Sequence, residues 1–314
     1  MKILVAPLNW GLGHASRCIP IIQKYLSERA EVVLGGNGIS LLLLQQHFPT
    51  LRSINLPEFE ICYSSGKQQI GAMLRTLPKL IKSSLADHST LKKILNSEHF
   101  DLVISDNRFG LFSPQTHCVF ITHQLMVKMP QGFKCFEFFY WYLQKKIINK
   151  YDECWIPDMQ GGDNLSGDLS HKYPLPINAK FIGHLSRFEK YKDTVPNSKF
   201  RIVAVVSGVE PTRSNFENEL IKRYQSHEEK VLIVQGIPSE EIQTVTIGSI
   251  LTVSHMSNGD LAAYLLGAER IISRSGYSSL MDYKTLGVLH KVELHATPGQ
   301  TEQEYLKIMN TVFD

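Results

Sequence analysis

Short apolar runs alternate with longer segments of helical spacing along most of the chain. Runs at 2–6, 31–35, 51–56, 102–105, 118–122 and 153–157 read as strands, and helical patterns at 16–29, 38–48, 70–97 and 134–150 lie between several of them. The second half repeats the plan, with strands at 201–206, 230–234, 249–253, 270–273 and 291–293 and helices near 213–226, 258–267, 277–286 and 300–312. Strands that alternate with helices predict parallel, doubly wound sheets, one in each half. Residues 183–199 lose the apolar periodicity and gain charge and turn formers. The linker is placed there, dividing the chain into domains 1–190 and 191–314. Ligands of open α/β sheets bind beyond the carboxyl ends of strands, so two such sheets facing each other predict a cleft lined by turns from both.

Two turns carry candidate chemistry. Ile271-Ile272-Ser273-Arg274-Ser275-Gly276-Tyr277-Ser278-Ser279, followed by Asp282 and by Pro298-Gly299-Gln300-Thr301-Glu302-Gln303, reads as a strand delivering a Ser/Gly-rich turn to a helix start. Hydroxyls and free backbone N–H groups at a helix N-terminus hold an anion without a metal. The second turn follows an apolar run at 1–7: Asn9-Trp10-Gly11-Leu12-Gly13-His14-Ala15-Ser16-Arg17, with Ile19, Ile21, Ile22, Tyr25 and Leu26 then at helical spacing. If a hydroxyl is to be activated, His14 is the first candidate base. Asp106, in Ser105-Asp106-Asn107-Arg108-Phe109-Gly110, is the second, and His123 is the third. Each also has an ordinary structural reading: Asp106-Asn107 as a turn, Arg274 as the partner of an acidic neighbour, Asp282 as a complement to a helix dipole, and Gln300 and Gln303 as a solvated helix face.

The chain has 314 residues, of which 43% are hydrophobic, enough for two cores. Its 33 basic and 30 acidic residues leave a net charge of +3, too small to make nucleic acid the expected partner. The cysteines Cys18, Cys62, Cys118, Cys135 and Cys154 are widely spaced, so they suggest neither a disulfide framework nor a zinc site. No apolar segment approaches the roughly 20 residues needed to span a bilayer. The expected location is cytoplasmic, with peripheral contact at the inner face of a membrane through 133–146. That stretch runs from Phe133 through Phe136, Phe138, Phe139, Tyr140, Trp141 and Tyr142 to Lys145 and Lys146, with Lys128 upstream. The ordinary reading places these aromatics in the core. A helix exposing them beside the lysines would instead suit anionic lipid. The polar stretch 157–180, with Gly161-Gly162-Asp163-Asn164, reads as a mobile loop without an assigned role.

Gly11-Leu12-Gly13-His14, then Ser207-Gly208 with Glu210-Pro211 and Arg213, then Ser273-Arg274-Ser275-Gly276 with Asp282, Gln300 and Gln303, resemble a known family. It is that of the two-domain, GT-B-fold glycosyltransferases related to the peptidoglycan N-acetylglucosaminyltransferase that acts on a lipid-linked acceptor. The resemblance spans nearly the whole chain by motif order, and its C-terminal motif is the specific one. It implies an α/β fold of two Rossmann-like domains. The C-terminal domain would hold a nucleoside diphosphate sugar, UDP-linked, as co-substrate, and the N-terminal domain would present a sugar or lipid-linked acceptor. Transfer would invert the anomeric centre without a metal or a cofactor.

By the same resemblance Ser275 and Gly276 lie beside the donor phosphates, Asp282 accepts from the ribose hydroxyls, and Gln300 and Gln303 contact the donor sugar. Ser207, Gly208, Arg213, Met256, Arg274, Tyr277 and Ser278 complete the donor side, while Gly11, Gly13 and His14 form the turn opposite. The family more usually has Glu where Asp282 stands and more glycine where Trp10 and Leu12 stand. Its members often carry one more helix beyond the position of Met309. Two other classes remain open: a nucleotide-sugar epimerase or hydrolase on the same fold, and a non-catalytic nucleotide-binding module or dinucleotide oxidoreductase. Against the oxidoreductase, Ser16 stands where a dinucleotide fingerprint wants a third Gly or Ala, and Glu31 precedes the second strand rather than ending it.

Overall fold

The computed structural model describes residues 1–57, 69–129 and 132–311, with the backbone alone for 69–77. Cys62 lies outside the described residues. The chain divides into two compact units, Met1–Trp10 with His14–Leu185, and Gly11–Gly13 with the residues from Ser186 onward.

The first unit runs β1 (Lys2–Pro7), α1 (Gly13–Ser27), β2 (Glu31–Gly36), α2 (Gly38–His47), β3 (Ser53–Asn55), α3 (Gln69–Ser97), β4 (Leu102–Asp106), β5 (His117–Ile121), α4 (Cys135–Ile148), β6 (Glu153–Ile156), α5 (Asp168–His171) and β7 (Ala179–Phe181). Its strands form one sheet in the order β3-β2-β1-β4-β5-β6-β7, parallel throughout. Ile3, Leu4, Val5 and Ala6 of β1 are all fully buried, as are Val103 and Ile104 of β4. Strands covered on both faces must be apolar at successive positions, which is why they read as continuous runs rather than as alternation.

The second unit runs β8 (Ile202–Val205), α6 (Thr212–Tyr224), β9 (Val231–Val234), β10 (Thr244–Ile247), β11 (Ile250–Val253), α7 (Asn258–Gly267), β12 (Arg270–Arg274), α8 (Tyr277–Thr285), β13 (Val292–His295) and α9 (Thr301–Asn310). The strand order is β10-β11-β9-β8-β12-β13, parallel except for the β10–β11 pair. Period-two alternation distributes β8 over two cores: Val203 and Val205 enter one cluster with Phe188 and Leu232, and Ile202 and Ala204 enter the other with Phe216 and Ile233.

The expected architecture of two doubly wound α/β sheets is present, with three local differences. The units divide at Leu185 and Ser186 rather than at 190 and 191, because Ser186 and Arg187 bond to Asp282 and Phe188 packs in the second core. Strands β7 and β10 were not expected. The Gly248-Ser249 pair between Ile247 and Ile250 is a two-residue hairpin signal that would have found β10. Finally, much of 157–180 is tied down rather than loose. Buried Asp158 accepts hydrogen bonds from the backbone N–H groups of Met159, Leu165 and Ser166, and from the Ser166 hydroxyl, with His184 Nε2 at 3.2 Å. Burial would raise its pKa, but the bonds from His184, Ser166 and Leu165 outweigh burial and hold the carboxyl well below the usual range.

The loop after β4 lies directly on α3. A Cβ at Gly110 would fall 2.0 Å from the Ser84 carbonyl oxygen and 2.7 Å from Asp87 Cβ. Gly110→Ala is expected to cost about 1–3 kcal/mol in urea unfolding. An unchanged midpoint would show that the loop can lift from α3 freely.

Candidate active site

The carboxyl ends of β1, β4 and β5 are level, with Pro7 paired to Asp106 and Asp106 to Ile121. Strand order reverses between β1 and β4, where open α/β sheets leave a crevice. All three candidate bases come from these ends. Asp106 is the last residue of β4, His14 is in the first turn of α1, and His123 follows β5. Gly11 (φ 69°) and Asn107 (φ 56°) take the left-handed backbone that their turns require, which glycine adopts freely and asparagine tolerates.

The structure joins the three through a residue that sequence reasoning missed, Arg17. Asp106 has no exposed surface, and Arg17, His123 and His14 are 2%, 4% and 9% exposed. Arg17 donates through Nε to Asp106 Oδ2 and through Nη2 to Oδ1, a two-point pair. His14 Nδ1 lies 2.8 Å from Asp106 Oδ1, and Arg17 Nη1 lies 3.1 Å from His123 Nδ1. Residues 14 and 17 share one face of α1 because the helix begins at Gly13. A helix starting at 16 hides that spacing. Burial alone would push the Asp106 pKa up, but the guanidinium of Arg17 and the ring of His14 outweigh it and bring the value down to about 2. Such a carboxylate orients its neighbours rather than taking a proton near neutrality.

Leu8, Leu80, Ser83, Ser84, Asp87, Asn107, Arg108 and Phe109 line a small cavity beside the same loop. Buried Arg108 pairs with Asp87 and donates to the Pro57 carbonyl, and its Nε and Nη1 have no hydrogen-bond partner among the described residues.

In the second unit the strand order reverses between β8 and β12. The chain leaves β8 through Ser207 and Gly208 towards α6, and leaves β12 through Ser275 and Gly276 into α8. At α6 the Glu210 carboxylate accepts the Ser214 N–H and the Val209 carbonyl that of Arg213, whereas α8 opens at Gly276 with no side-chain cap, a helix start at the carboxyl edge of the sheet of the kind that meets anions.

The nearby side chains are mostly engaged within the unit. Arg213 donates to Glu210, Glu217 and Ser214. Among the described residues Arg274 forms no salt bridge, and its acidic neighbour Glu219 acts on it through charge alone. Arg274 donates to the carbonyls of Ala296 and Thr212 and lies 3.9 Å from the Phe216 ring centroid. Ser275 gives its N–H to His295 O and its hydroxyl to Gln303 O, and Gln303 Oε1 accepts from Thr297 N. Gln300 caps α9, Tyr277 is buried, Ser278 is half-buried in the first turn of α8, and Met256 packs on the core. Asp282 is buried, with one oxygen accepting from the Ser186 hydroxyl and the other from Arg187 Nε. Among the described residues no group of three or more His, Cys, Asp or Glu is placed to hold a metal ion.

α4 keeps one of its aromatics, Trp141, in the core and leaves most of the others outside it, against the core reading. Its buried positions are Glu137, Trp141, Gln144 and Ile148. Glu137 is satisfied by Lys172 and by Met129 N–H. Phe133, Phe136, Phe138, Phe139, Tyr142 and Leu143 are between 41% and 58% exposed. Lys145 and Lys146 lie over the rings of Trp141 and Tyr142. No described helix is long and apolar enough to cross a membrane.

No protein-family model matches the chain. An uncharacterized glycosyltransferase of Methanosarcina acetivorans is 23% identical, over 97% of this chain and 82% of its own length. Among solved structures, UGT2 of Phytolacca americana, complexed with UDP-2fluoro-glucose and pterostilbene, superposes with a TM-score of 0.56 at 14% identity, over 98% of this chain and 82% of that one. The spinosyn rhamnosyltransferase SpnG, complexed with thymidine diphosphate, superposes with a TM-score of 0.54 at 11% identity, over 98% of this chain and 90% of that one. Over nearly its whole length the chain is thus similar to glycosyltransferases of the GT-B superfamily, and these likenesses support a glycosyltransferase enzyme.

The Arg17–Asp106 pair makes stability acid-sensitive. The folded value lies below the ordinary 3.8, so the pairing stabilises the fold fully above about pH 4 and is lost as pH falls towards about 2. Asp106→Asn leaves the guanidinium buried without a counter-charge, and it is expected to cost about 3–5 kcal/mol at pH 7 and to flatten this acid dependence in urea unfolding. An Asn variant as stable as the parent would show that the pair is not what holds these elements.

Proposed function

We propose that the protein is an inverting, metal-independent glycosyltransferase that moves a sugar from a nucleoside diphosphate sugar, UDP-linked, to a hydroxyl of a lipid-linked or saccharide acceptor. The observation that carries this reading is the hydrogen-bonded His14–Asp106 pair at the carboxyl edge of the first sheet. His14 donates through Nδ1 to the ionised Asp106, which leaves Nε2 to take the acceptor's hydroxyl proton. The freed oxygen then attacks the anomeric carbon, the bond from that carbon to the phosphate oxygen breaks, and the nucleoside diphosphate leaves with the electron pair. A single displacement of this kind inverts the centre.

Negative charge grows on the leaving diphosphate, and the backbone at the uncapped start of α8 is suited to meet it. Donor recognition by the second unit is in keeping with the nucleotides bound by UGT2 and SpnG. The order of the motifs ending in Ser273 to Ser279, Gln300 and Gln303 supports the peptidoglycan-type branch within this superfamily. A lipid-linked acceptor also fits α4, whose exposed aromatics and lysines suit an anionic bilayer surface.

Calorimetry with UDP, dTDP and GDP, in chelator, is expected to show micromolar binding of one of them. His14→Ala should keep that affinity while lowering transfer about 100-fold or more. Loss of nucleotide affinity in this variant would make His14 a phosphate ligand instead. On flotation with phosphatidylglycerol vesicles the protein should rise at low salt, sink at high salt, and fail to rise as Phe139→Glu. A parent protein that stays at the bottom removes the lipid contact.

A further inference from the structure

Asp106 is faced by His14, Arg17 and Cys18 from α1, and His123 meets Arg17 from the loop after β5. A guanidinium has donors and no acceptor, so the His123 Nδ1 that lies 3.1 Å from Arg17 Nη1 holds a lone pair, and the proton of the neutral ring is assigned to Nε2. His14 Nδ1 is 2.8 Å from the Asp106 carboxylate and 2.9 Å from Arg17 Nη2. An ionised carboxylate has no hydrogen to share with a bare nitrogen, so the closer contact is a bond only when the proton is on Nδ1. His14 then carries its lone pair on Nε2. On that assignment the two histidines take opposite tautomers, and Arg17 Nη2, 2.9 Å from the protonated His14 Nδ1, gives its hydrogen to Asp106 Oδ1 and none to His14.

We propose that Arg17 is a positioning residue of the transfer reaction, gripping both oxygens of Asp106 and the Nδ1 of His123 so that His14 keeps an acceptor, and His123 a donor, at Nε2. This rests on the reading of His14 as the base. The planar fork is what the task requires. A carboxyl group turns easily about its terminal torsion, and only a two-point partner fixes its plane for the His14 ring. The third direction of the fork orients His123 at the same time. Cys18 Sγ, 3.8 Å from Asp106 Oδ2, is too weak a donor to replace it.

Long-range nitrogen–proton spectra of the histidine rings at pH 8, together with kcat and KM for transfer, test the proposal in Arg17→Lys and Arg17→Gln. The parent is expected to show one tautomer for each histidine, protonated on Nδ1 in His14 and on Nε2 in His123. Arg17→Lys keeps the charge and loses the fork. His123 should then average between tautomers, and kcat should fall about 10- to 100-fold with donor KM within about twofold. Arg17→Gln should show the same loss of a single tautomer; if it does not fold, the lysine variant decides alone. Unchanged tautomers in the variants, or a lysine variant with parental kcat, would overturn the role of Arg17. The spectra need no substrate, so the two failures separate. Tautomers that change as stated in a protein that transfers no sugar would sink the transferase reading, not the assignment of what Arg17 holds.

Discussion

Asp106 is ionised and fully buried, and a charge so placed must be met by donors within reach or be lost to protonation. The donors come from α1, and His123 is drawn to the same guanidinium from the loop after β5. Three elements that are remote in sequence are therefore held in register at the carboxyl edge of one sheet. The parallel pairing of β4 with β1 on one side and β5 on the other makes this possible, because it sets the ends of all three strands level. Gly110 completes the arrangement by letting the loop after β4 rest against α3, where Arg108 pairs with Asp87.

The second unit meets charge in another way. Its cations near the strand reversal are consumed locally, Arg213 by two glutamates and Arg274 by carbonyls and an aromatic face. What α8 offers there is backbone, the N–H donors of a helix start that no N-cap side chain closes. Donors of this kind are fixed by the helices themselves and need no reorganisation when charge develops on a departing phosphate. The two units thus differ in kind: a buried charge is held by side chains in one, and a helix start presents backbone in the other.

α4 shows how a helix can be read inside out. Apolar content alone argues that its rings are core, yet the residues that reach the first unit's interior are Glu137 and Gln144 beside Trp141 and Ile148. Glu137 can be buried because Lys172 and the Met129 amide satisfy it. Phe136, Phe138, Phe139 and Tyr142 are left exposed, with Lys146 over the Tyr142 ring.

Strand and helix order, the parallel sheets and the Ser/Gly turns were legible in the chain by itself, because each rests on short-range signals: apolar runs for strands buried on both faces, helical spacing, and turn residues at strand ends. His14, Asp106 and His123 were legible as candidates for the same reason, since each ends or follows a strand. Short-range signals could not say that the three meet, that Arg17 joins them, or that Asp106 is held too acidic to act as the base. Nor could they say that Ser186 and Arg187 occupy Asp282. Those facts depend on strand pairing and on desolvation, which arise only once residues 89 to 106 positions apart have been brought into contact.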